Sequence, residues 1–196
     1  MEQDLKKGLI IFARKPVLGK VKTRLAATVG DLKALDIYKR LLIHTRSVAK
    51  GATCQSFAFL TEDDEDDFWK GFSCHLQSGE TLGDRMYEAF SLLFTKGYHQ
   101  CIIIGSDCPG LTKEIINAAF DALITNDIVI GAAADGGYYL LGMKKIYTLL
   151  FKNKNWSTEN VFTHTLMDIK QDCLTYHTMP VLNDVDEEKD IPAEWL

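Results

Sequence analysis

The sequence lacks the long hydrophobic runs that would place it in a membrane or direct it to export. Its longest apolar stretches, Cys101–Ser106 and Ile128–Ala134, fall far short of the roughly 20 residues that a transmembrane helix needs. The first apolar run, Leu9–Ala13, is shorter than a signal-peptide core and follows an acidic rather than a basic start. We therefore expect a cytoplasmic protein with no membrane span.

Signatures of a disulfide framework, of a zinc site and of nucleic-acid binding are missing as well. The 5 cysteines are an odd number without a C-x-x-C pair, and the 5 histidines form neither H-E-x-x-H nor an i, i+4 pair. The formal net charge is −5, and no basic stretch is interleaved with aromatic residues along a strand. These absences argue against a secreted disulfide scaffold, a zinc hydrolase and a nucleic-acid-binding protein.

The chain has the composition of one ordinary globular domain. Its 196 residues, 46% hydrophobic and 25% charged, can bury a full core without disulfides or a structural metal, so we expect a single domain over residues 1–196. Short β-branched or aromatic runs alternate with longer segments of helical periodicity, which predicts an α/β fold on a mainly parallel sheet. The predicted strands are Leu9–Ala13, Thr53–Leu60, Cys74–Gln77, Cys101–Ile104, Ile128–Gly131, Tyr138–Leu141 and Met179–Leu182. The predicted helices are Leu32–Val48, Glu62–Phe72, Thr81–Lys96, Lys113–Ile124 and a segment near Ser157–Met167, with Asp31, Thr61 and Thr112 as N-caps of the first, second and fourth.

The loop after the first predicted strand concentrates positive charge in an otherwise acidic chain. Ligands of open α/β sheets bind outside the carboxyl ends of the strands, so this loop lies where a site is expected. Gly19 allows close backbone approach and the cations suit phosphate oxygens, which favours a di- or triphosphate. The loop is not a Walker A motif, because Arg14 stands where its first glycine would fall. A solvated basic loop is the alternative. The cations are Arg14, Lys15, Lys20, Lys22 and Arg24.

Three aspartates follow predicted strands and are candidate metal ligands. Asp107 comes directly after the most apolar strand, and Asp184 and Asp186 follow the last one. Magnesium takes one or two carboxylates and completes its octahedron with water and phosphate oxygens, so Asp107 would need one further acid. Asp184 and Asp186 project to the same face if the chain is still extended there. For each aspartate, a helix cap or a turn residue is the alternative interpretation.

Two further loops carry polar and glycine residues at the same edge of the predicted sheet. Asp135–Tyr138 could bring backbone and ring edges close to a substrate hydroxyl or base, although a hairpin turn has the same pattern. Gln77–Arg85 precedes a predicted helix and could bind a polar ligand edge, or it could be an ordinary capped connection. The acidic run Glu62–Asp67 is interpreted as a solvated helix start, because its side chains would point around the helix and could not converge.

Taken in order, these motifs resemble one family over nearly the whole chain. The chain is similar to the DUF2064 group of glycosyltransferase A (GT-A)-like, or selenodomain-associated transferase-like, proteins, which are related to molybdenum cofactor guanylyltransferase and 2-phospho-L-lactate guanylyltransferase. The resemblance implies a GT-A, nucleotide-diphospho-sugar-transferase-like fold, a three-layer α/β/α sandwich. The matching segments are Phe12–Leu25, Gln77–Met86, Gly105–Leu111, Asp135–Leu140 and Asp184–Asp186.

The resemblance also implies roles for these residues. In such relatives the first loop holds the nucleoside triphosphate, the second crossover reads the base, and an aspartate after the central strand binds magnesium. The nucleotide would contact Arg14, Lys15, Gly19, Lys20, Lys22, Arg24, Gln77, Gly79 and Gly83. The metal would be held by Asp107 with Asp184 or Asp186. The acceptor would contact Asp135, Gly136, Gly137, Tyr138 and Trp156.

We therefore expect an enzyme dependent on Mg²⁺ or Mn²⁺ that transfers a nucleotidyl group from a nucleoside triphosphate to a small phosphorylated or hydroxyl acceptor. Lys22, Arg24, Asp107 and Asp135 would carry the catalysis, mostly by positioning and charge neutralisation. One alternative is a glycosyltransferase that uses a nucleotide-sugar donor, with Asp135 as the best candidate base. Another is a nucleotide-binding accessory protein without turnover. The pattern carries no signature of an oligomeric state.

Overall fold

A computed structural model describes residues 5–63, 67–156 and 158–195, which form one seven-stranded sheet with helices on both faces. The strands are β1 Lys7–Ala13, β2 Gln55–Leu60, β3 Ser73–Leu76, β4 Gln100–Ile104, β5 Ile128–Ala133, β6 Tyr138–Met143 and β7 Tyr176–Leu182. The helices are α1 Thr23–Val29, α2 Asp31–Gly51, α3 Leu82–Thr95, α4 Lys113–Thr125 and α5 Val161–Gln171. Short 3-10 turns lie at Thr148–Leu150, Glu188–Asp190 and Ala193–Trp195. The predicted α/β class and its mainly parallel sheet are confirmed.

The strand order is β3-β2-β1-β4-β6-β5-β7, and β6 alone runs antiparallel to its neighbours among the described strands. The chain moves outward from β1 to β3 on one side and then returns to place β4 on the other side of β1. The carboxyl ends of β1 and β4 therefore border the point where the order reverses, which is where open α/β sheets bind ligands.

The core consists of two layers, one on each face of the sheet. In β1, Leu9 and Ile11 face the cluster that α1, α2 and α4 cover, whereas Ile10 faces the cluster that α3 and α5 cover. Successive side chains of a strand point to opposite faces, so a strand buried on both sides is apolar throughout. The three-layer sandwich follows from this arrangement.

One of the predicted N-caps is confirmed and another is wrong. Thr112 accepts a hydrogen bond from the Ile115 N–H at 3.3 Å, which confirms it as the N-cap of α4. The prediction of Asp31 as an N-cap is wrong, because Gly30 holds that position and Asp31 is the first residue of α2. Asp31 still contributes a negative charge to the first turn, where the helix dipole favours it.

The helix predicted over Glu62–Phe72 is wrong in the part of this segment that the structure describes. Residues 67–72 form turns, and Asp67 has a left-handed backbone with φ 54°. Trp69 is buried in the core cluster, and the Arg46 guanidinium of α2 lies over the Phe68 and Phe72 rings, so tertiary packing overrides the helical pattern. Within the predicted acidic helix start, residues 64–66 lie outside the described residues.

Two other differences concern short elements. The sequence predicts no helix at α1, since a seven-residue helix gives too short a pattern to detect by periodicity. The helix expected near Ser157–Met167 begins at Val161, and Ser157 lies outside the described residues. Within the described ranges, no helix is both long enough and apolar enough for a membrane crossing.

Candidate active site

An open cleft of about 720 Å³ lies where the carboxyl ends of β1 and β4 border each other. Loops after β1, β4 and β7 meet there with the β5–β6 turn and the start of α3, so residues far apart in sequence line one cavity. Predicted site residues that line it are Arg14, Lys22, Arg24, Gln77, Asp107, Asp135, Gly137, Tyr138, Trp156, Asp184 and Asp186. The cleft therefore lies at the edge of the sheet where the sequence predicts a site.

Lys22 is at the centre of the charged groups. Its Nζ lies 3.0 Å from Asp107 Oδ2 and 3.3 Å from Asp186 Oδ1, and its side chain is only 8% exposed. Arg24 reaches the other oxygen of Asp186 at 3.1 Å but is 71% exposed. Lys22 precedes α1 with a left-handed backbone, φ 47° and ψ 46°, which bends the chain so that its side chain enters the cleft.

Opposing effects act on the Lys22 ammonium. Burial lowers the pKa of this group, but the adjoining carboxylates of Asp107 and Asp186 outweigh burial, and the net result is a raised pKa. Lys22 is therefore a permanent positive charge at neutral pH. Because its partners come from the loops after β4 and β7, the ion pairs join three loops at one point.

Asp184 has a different environment from Asp186. Its Oδ1 is buried and has no hydrogen-bond partner among the described residues. Burial and, to a smaller extent, the negative charge of Asp107 raise the pKa of Asp184 to about 8, against the lowering effect of Lys22. A backbone hydrogen bond from Val185 N–H to the Asp107 carbonyl, 3.0 Å long, holds the two loops together. An unpartnered carboxylate oxygen beside a second carboxylate is the donor set that a hard divalent cation accepts.

Tyr38 of α2 joins the first loop to the β4 loop, and the sequence did not single it out for the site. Its hydroxyl donates to the Arg14 carbonyl at 3.1 Å, accepts from the Arg14 N–H at 2.9 Å and lies 3.4 Å from the Ser106 hydroxyl. Burial raises the pKa of Tyr38, so the hydroxyl keeps its proton for these contacts. Its place on the apolar stripe of α2 made it indistinguishable from a core residue in the sequence.

The segment from the end of β3 into α3 contributes an amide that holds two strands together and a cation that lines the cleft. The Gln77 side-chain amide donates to the Phe59 carbonyl at 2.9 Å and to the Ala13 carbonyl at 3.4 Å, which ties together the ends of β1 and β2. Arg85 lines the cleft and donates from Nε to the Gly79 carbonyl at 3.1 Å. Arg85 lies within one of the matching segments, and the sequence predicts no role for it. The only sequence signal for a role of Arg85 is its position directly after an acidic residue at the start of a predicted helix.

The wall on the β6 side is built around the Asp135–Tyr138 turn. The Gly137 N–H donates to Asp135 Oδ1 at 2.9 Å, which fixes this carboxylate. The Tyr138 hydroxyl donates to Met86 Sδ at 3.8 Å, so the ring rather than the hydroxyl borders the cleft. Trp156 packs directly over Gly83, where an added Cβ would lie 2.6 Å from the indole ring. Gly83 therefore makes room for Trp156.

Several predicted residues lie behind or beside the cleft lining. Gly79 has φ 127° and wraps the chain around the start of α3, where an added Cβ would lie 2.7 Å from Asp84. Lys20 and Gly19 are exposed on the first loop. The predicted site residues outside the described lining are Lys15, Gly19, Lys20, Gly79, Gly83 and Gly136. Their proposed contacts with a nucleotide or an acceptor stay predictions.

Gly136 is the position where a small substitution should be most harmful to the fold of the site. Its φ is 90°, and an added Cβ would lie 2.0 Å from the Glu159 carbonyl oxygen. We expect Gly136→Ala to lower the free energy of unfolding by about 3 kcal/mol, or the melting temperature by roughly 6–12 °C. Gly97→Ala is a matched control, because Gly97 has φ 81° and nothing within 4 Å of an added Cβ. Equal losses in the two variants would show that the Glu159 contact is unimportant.

Comparisons with known proteins agree with this fold. A crystal structure of a candidate nucleotide-diphospho-sugar transferase from Desulfovibrio desulfuricans superposes with a TM-score of 0.88 and 30% identity, covering 93% of this chain and 83% of that one. CMP-2-keto-3-deoxy-manno-octonic acid synthetase in complex with CTP gives a TM-score of 0.59 at 10% identity, covering 94% of each chain. Rv0371c of Mycobacterium tuberculosis in complex with manganese gives 0.58 at 13% identity, covering 96% of each chain. The last two comparisons show the fold alone.

No curated protein sequence matches the chain. The family model described as "Uncharacterized protein conserved in bacteria (DUF2064)" matches residues 43–158. This match spans more than half of the chain, and the resemblance carried by the ordered motifs is confirmed. The chain belongs to the DUF2064 family and has the fold of nucleotide-diphospho-sugar transferases.

Proposed function

We propose that the protein is a metal-dependent nucleotidyltransferase. An acceptor oxygen would attack the α-phosphorus of a nucleoside triphosphate, form a new P–O bond and release pyrophosphate. The observation that carries this proposal is the grouping of a buried ammonium, an exposed guanidinium and three aspartates at the point where the strand order reverses. A triphosphate with its metal ion matches this mixture of charges, because it brings both anionic oxygens and a cation.

Asp107 and Asp184 would hold the metal. Asp184 offers a buried oxygen without a described partner, whereas both oxygens of Asp186 are already paired with Lys22 and Arg24. Within the described residues no group of three or more acids, histidines or cysteines is disposed to hold a metal, so water and phosphate oxygens would complete the coordination. A bound Mg²⁺ or Mn²⁺ would neutralise charge on the phosphate oxygens. The manganese complex of the structural relative Rv0371c supports this choice.

The two walls of the cleft would divide the substrates between them. Arg14, Lys22 and Arg24 on the β1 side would bind the triphosphate, because cations there face its oxygens. On the β6 side, Asp135 and Trp156 would bind the acceptor. An acceptor phosphate needs no base, whereas an acceptor hydroxyl would give its proton to Asp135, whose carboxylate the Gly137 N–H holds in place. The CTP complex of a structural relative supports a nucleotide in a fold of this kind.

A glycosyltransferase is the second candidate. The Desulfovibrio desulfuricans relative, at 30% identity over 93% of this chain, is described as a candidate nucleotide-diphospho-sugar transferase. In that reaction the sugar carbon would accept the nucleophile and a nucleoside diphosphate would leave. The same cations would stabilise the leaving group in both reactions. The two candidates therefore differ in the donor that binds, which is a nucleoside triphosphate in one and a nucleotide-sugar in the other.

A thermal-shift screen tests the proposal. Wild-type protein is melted with the four nucleoside triphosphates and with UDP-, GDP- and CDP-sugars, with and without Mg²⁺ or Mn²⁺. A donor at about 100 times its dissociation constant adds about 2.7 kcal/mol, which raises the melting temperature by roughly 5–11 °C. We expect a metal-dependent shift with a triphosphate that Asp107→Ala removes. A shift with nucleotide-sugars alone would favour the glycosyltransferase, and no shift with any donor would contradict both.

A further inference from the structure

The ammonium of Lys22 lies between two carboxylates, and one of them, Asp107, is also a proposed metal ligand. It lies 3.0 Å from Asp107 and 3.3 Å from Asp186, and its side chain is 8% exposed. A lysine so enclosed does not present its charge to the open part of the cleft. Two of its three N–H donors are taken by these carboxylates, so a metal on Asp107 would compete with the ammonium for one of its two partners.

Metal binding at Asp107 conflicts with this arrangement. The ammonium nitrogen contacts the same carboxylate that the metal would ligate, so both cations would lie within a few ångströms of each other. Two cations so close together repel each other, and a divalent ion repels the ammonium twice as strongly as a monovalent one at the same distance. Displacement without a new partner is also costly, because a buried charge that loses its counterion is destabilised.

A triphosphate resolves this conflict by giving the displaced ammonium new anionic oxygens. Arg24 cannot take over from Lys22, because it is 71% exposed and contacts Asp186 rather than Asp107. The metal and the triphosphate therefore help each other to bind: the metal displaces Lys22 and the phosphates receive it. Such coupling is reciprocal, so each ligand raises the affinity of the other by the same factor.

We propose that Lys22 is an internal counter-cation that competes with the divalent metal for Asp107, so that the metal binds tightly only together with a triphosphate. This inference rests on the proposed function, since it assumes that a metal and a triphosphate share the cleft. Beyond that function, it assigns to Lys22 the role of weakening metal binding when no triphosphate is bound. The lysine is then both the inhibitor of metal binding in the free protein and a phosphate ligand in the complex.

Lys22→Met tests the inference, because it keeps the length of the side chain and removes the charge. Isothermal titration calorimetry measures the affinity for Mn²⁺ alone, for tripolyphosphate alone and for their equimolar complex, so no nucleotide base needs to be known. We expect wild-type protein to bind Mn²⁺ weakly and Lys22→Met to bind it at least about 10-fold more tightly. We also expect the gain in Mn²⁺ affinity that tripolyphosphate gives, about 10- to 100-fold in wild type, to disappear in the variant.

Two further variants make the result specific. Lys39→Met removes one exposed positive charge from α2 and should bind Mn²⁺ like wild type, which controls for net charge. Lys22→Arg keeps the charge and should keep Mn²⁺ affinity low. If Lys22→Met fails to give a cooperative melting transition, the wild type still tests the inference, because equal Mn²⁺ affinities with and without tripolyphosphate would overturn it.

The outcomes also separate this inference from the proposed function. If Lys22→Met binds Mn²⁺ no more tightly than Lys39→Met while wild type still binds the complex, competition is wrong and the proposed function stands. If neither wild type nor any variant binds Mn²⁺, tripolyphosphate or the complex, both the inference and the proposed function are wrong.

Discussion

Asp107→Asn is expected to reduce turnover about a thousandfold, equivalent to about 4 kcal/mol of transition-state stabilisation. The substitution preserves the shape of the side chain and leaves the backbone carbonyl that accepts from Val185 N–H unchanged. It removes the negative charge that would hold the metal and one of the two carboxylates that contact Lys22. Turnover is measured as release of pyrophosphate, or of nucleoside diphosphate if the binding screen identifies a nucleotide-sugar donor.

Asp121→Asn is the matched control for this experiment. Asp121 lies on α4, its side chain is 70% exposed, and its described ion pair is a 3.7 Å contact with Lys7. The control makes the same chemical change far from the cleft and should retain full turnover. If Asp107→Asn retains turnover within about threefold of this control, Asp107 is not a metal ligand in catalysis and the assigned metal site is wrong.

The sequence predicted the sheet well because its strands and helices differ strongly in pattern. β4 is apolar from Cys101 to Ile104, since Ile102 and Ile104 face one core cluster while Ile103 faces the other. The basic first loop was also visible, because its cations stand out in an acidic chain. Both features depend on residues that are close in sequence.

The features that the sequence did not reveal depend on contacts between distant residues. Asp184 and Asp186 are two residues apart and looked equivalent, but one is buried with an unpartnered oxygen and the other is paired with Lys22 and Arg24. Trp69 is buried in the core cluster that α1, α2 and α4 cover, and this packing prevails over the helical pattern of its own segment. Tyr38 lies on the apolar face of α2 that packs into the core, and its hydroxyl also donates to the Arg14 carbonyl beside the cleft.

The second large effect is expected from Asp184→Asn, which should stabilise the metal-free protein at alkaline pH while it abolishes metal binding. In the folded protein the pKa of Asp184 is about 8, mainly because of burial, whereas the same carboxyl group in an unfolded chain has a pKa of about 3.9. Between about pH 4 and pH 8 the unfolded chain therefore binds fewer protons than the folded one. The free energy of unfolding contributed by Asp184 accordingly falls as the pH rises through this window, and it is fully present only below about pH 4.

Asparagine is neutral at every pH and has no such loss, so its advantage over aspartate should grow by at most about 1.4 kcal/mol per pH unit up to about pH 8. Chemical denaturation of both proteins at pH 5, 6, 7 and 8 in the presence of a chelator measures this difference.

Saturating Mn²⁺ with tripolyphosphate should then reverse the order of stability of the two proteins at pH 8, because only wild type gains the binding free energy. A difference between the proteins that stays constant with pH would mean that Asp184 is ionised in the empty site. A ligand-induced gain of equal size in both would mean that the metal does not bind to Asp184. A carboxylate that destabilises the empty protein and stabilises the complex is the behaviour expected of a functional ligand rather than of a structural residue.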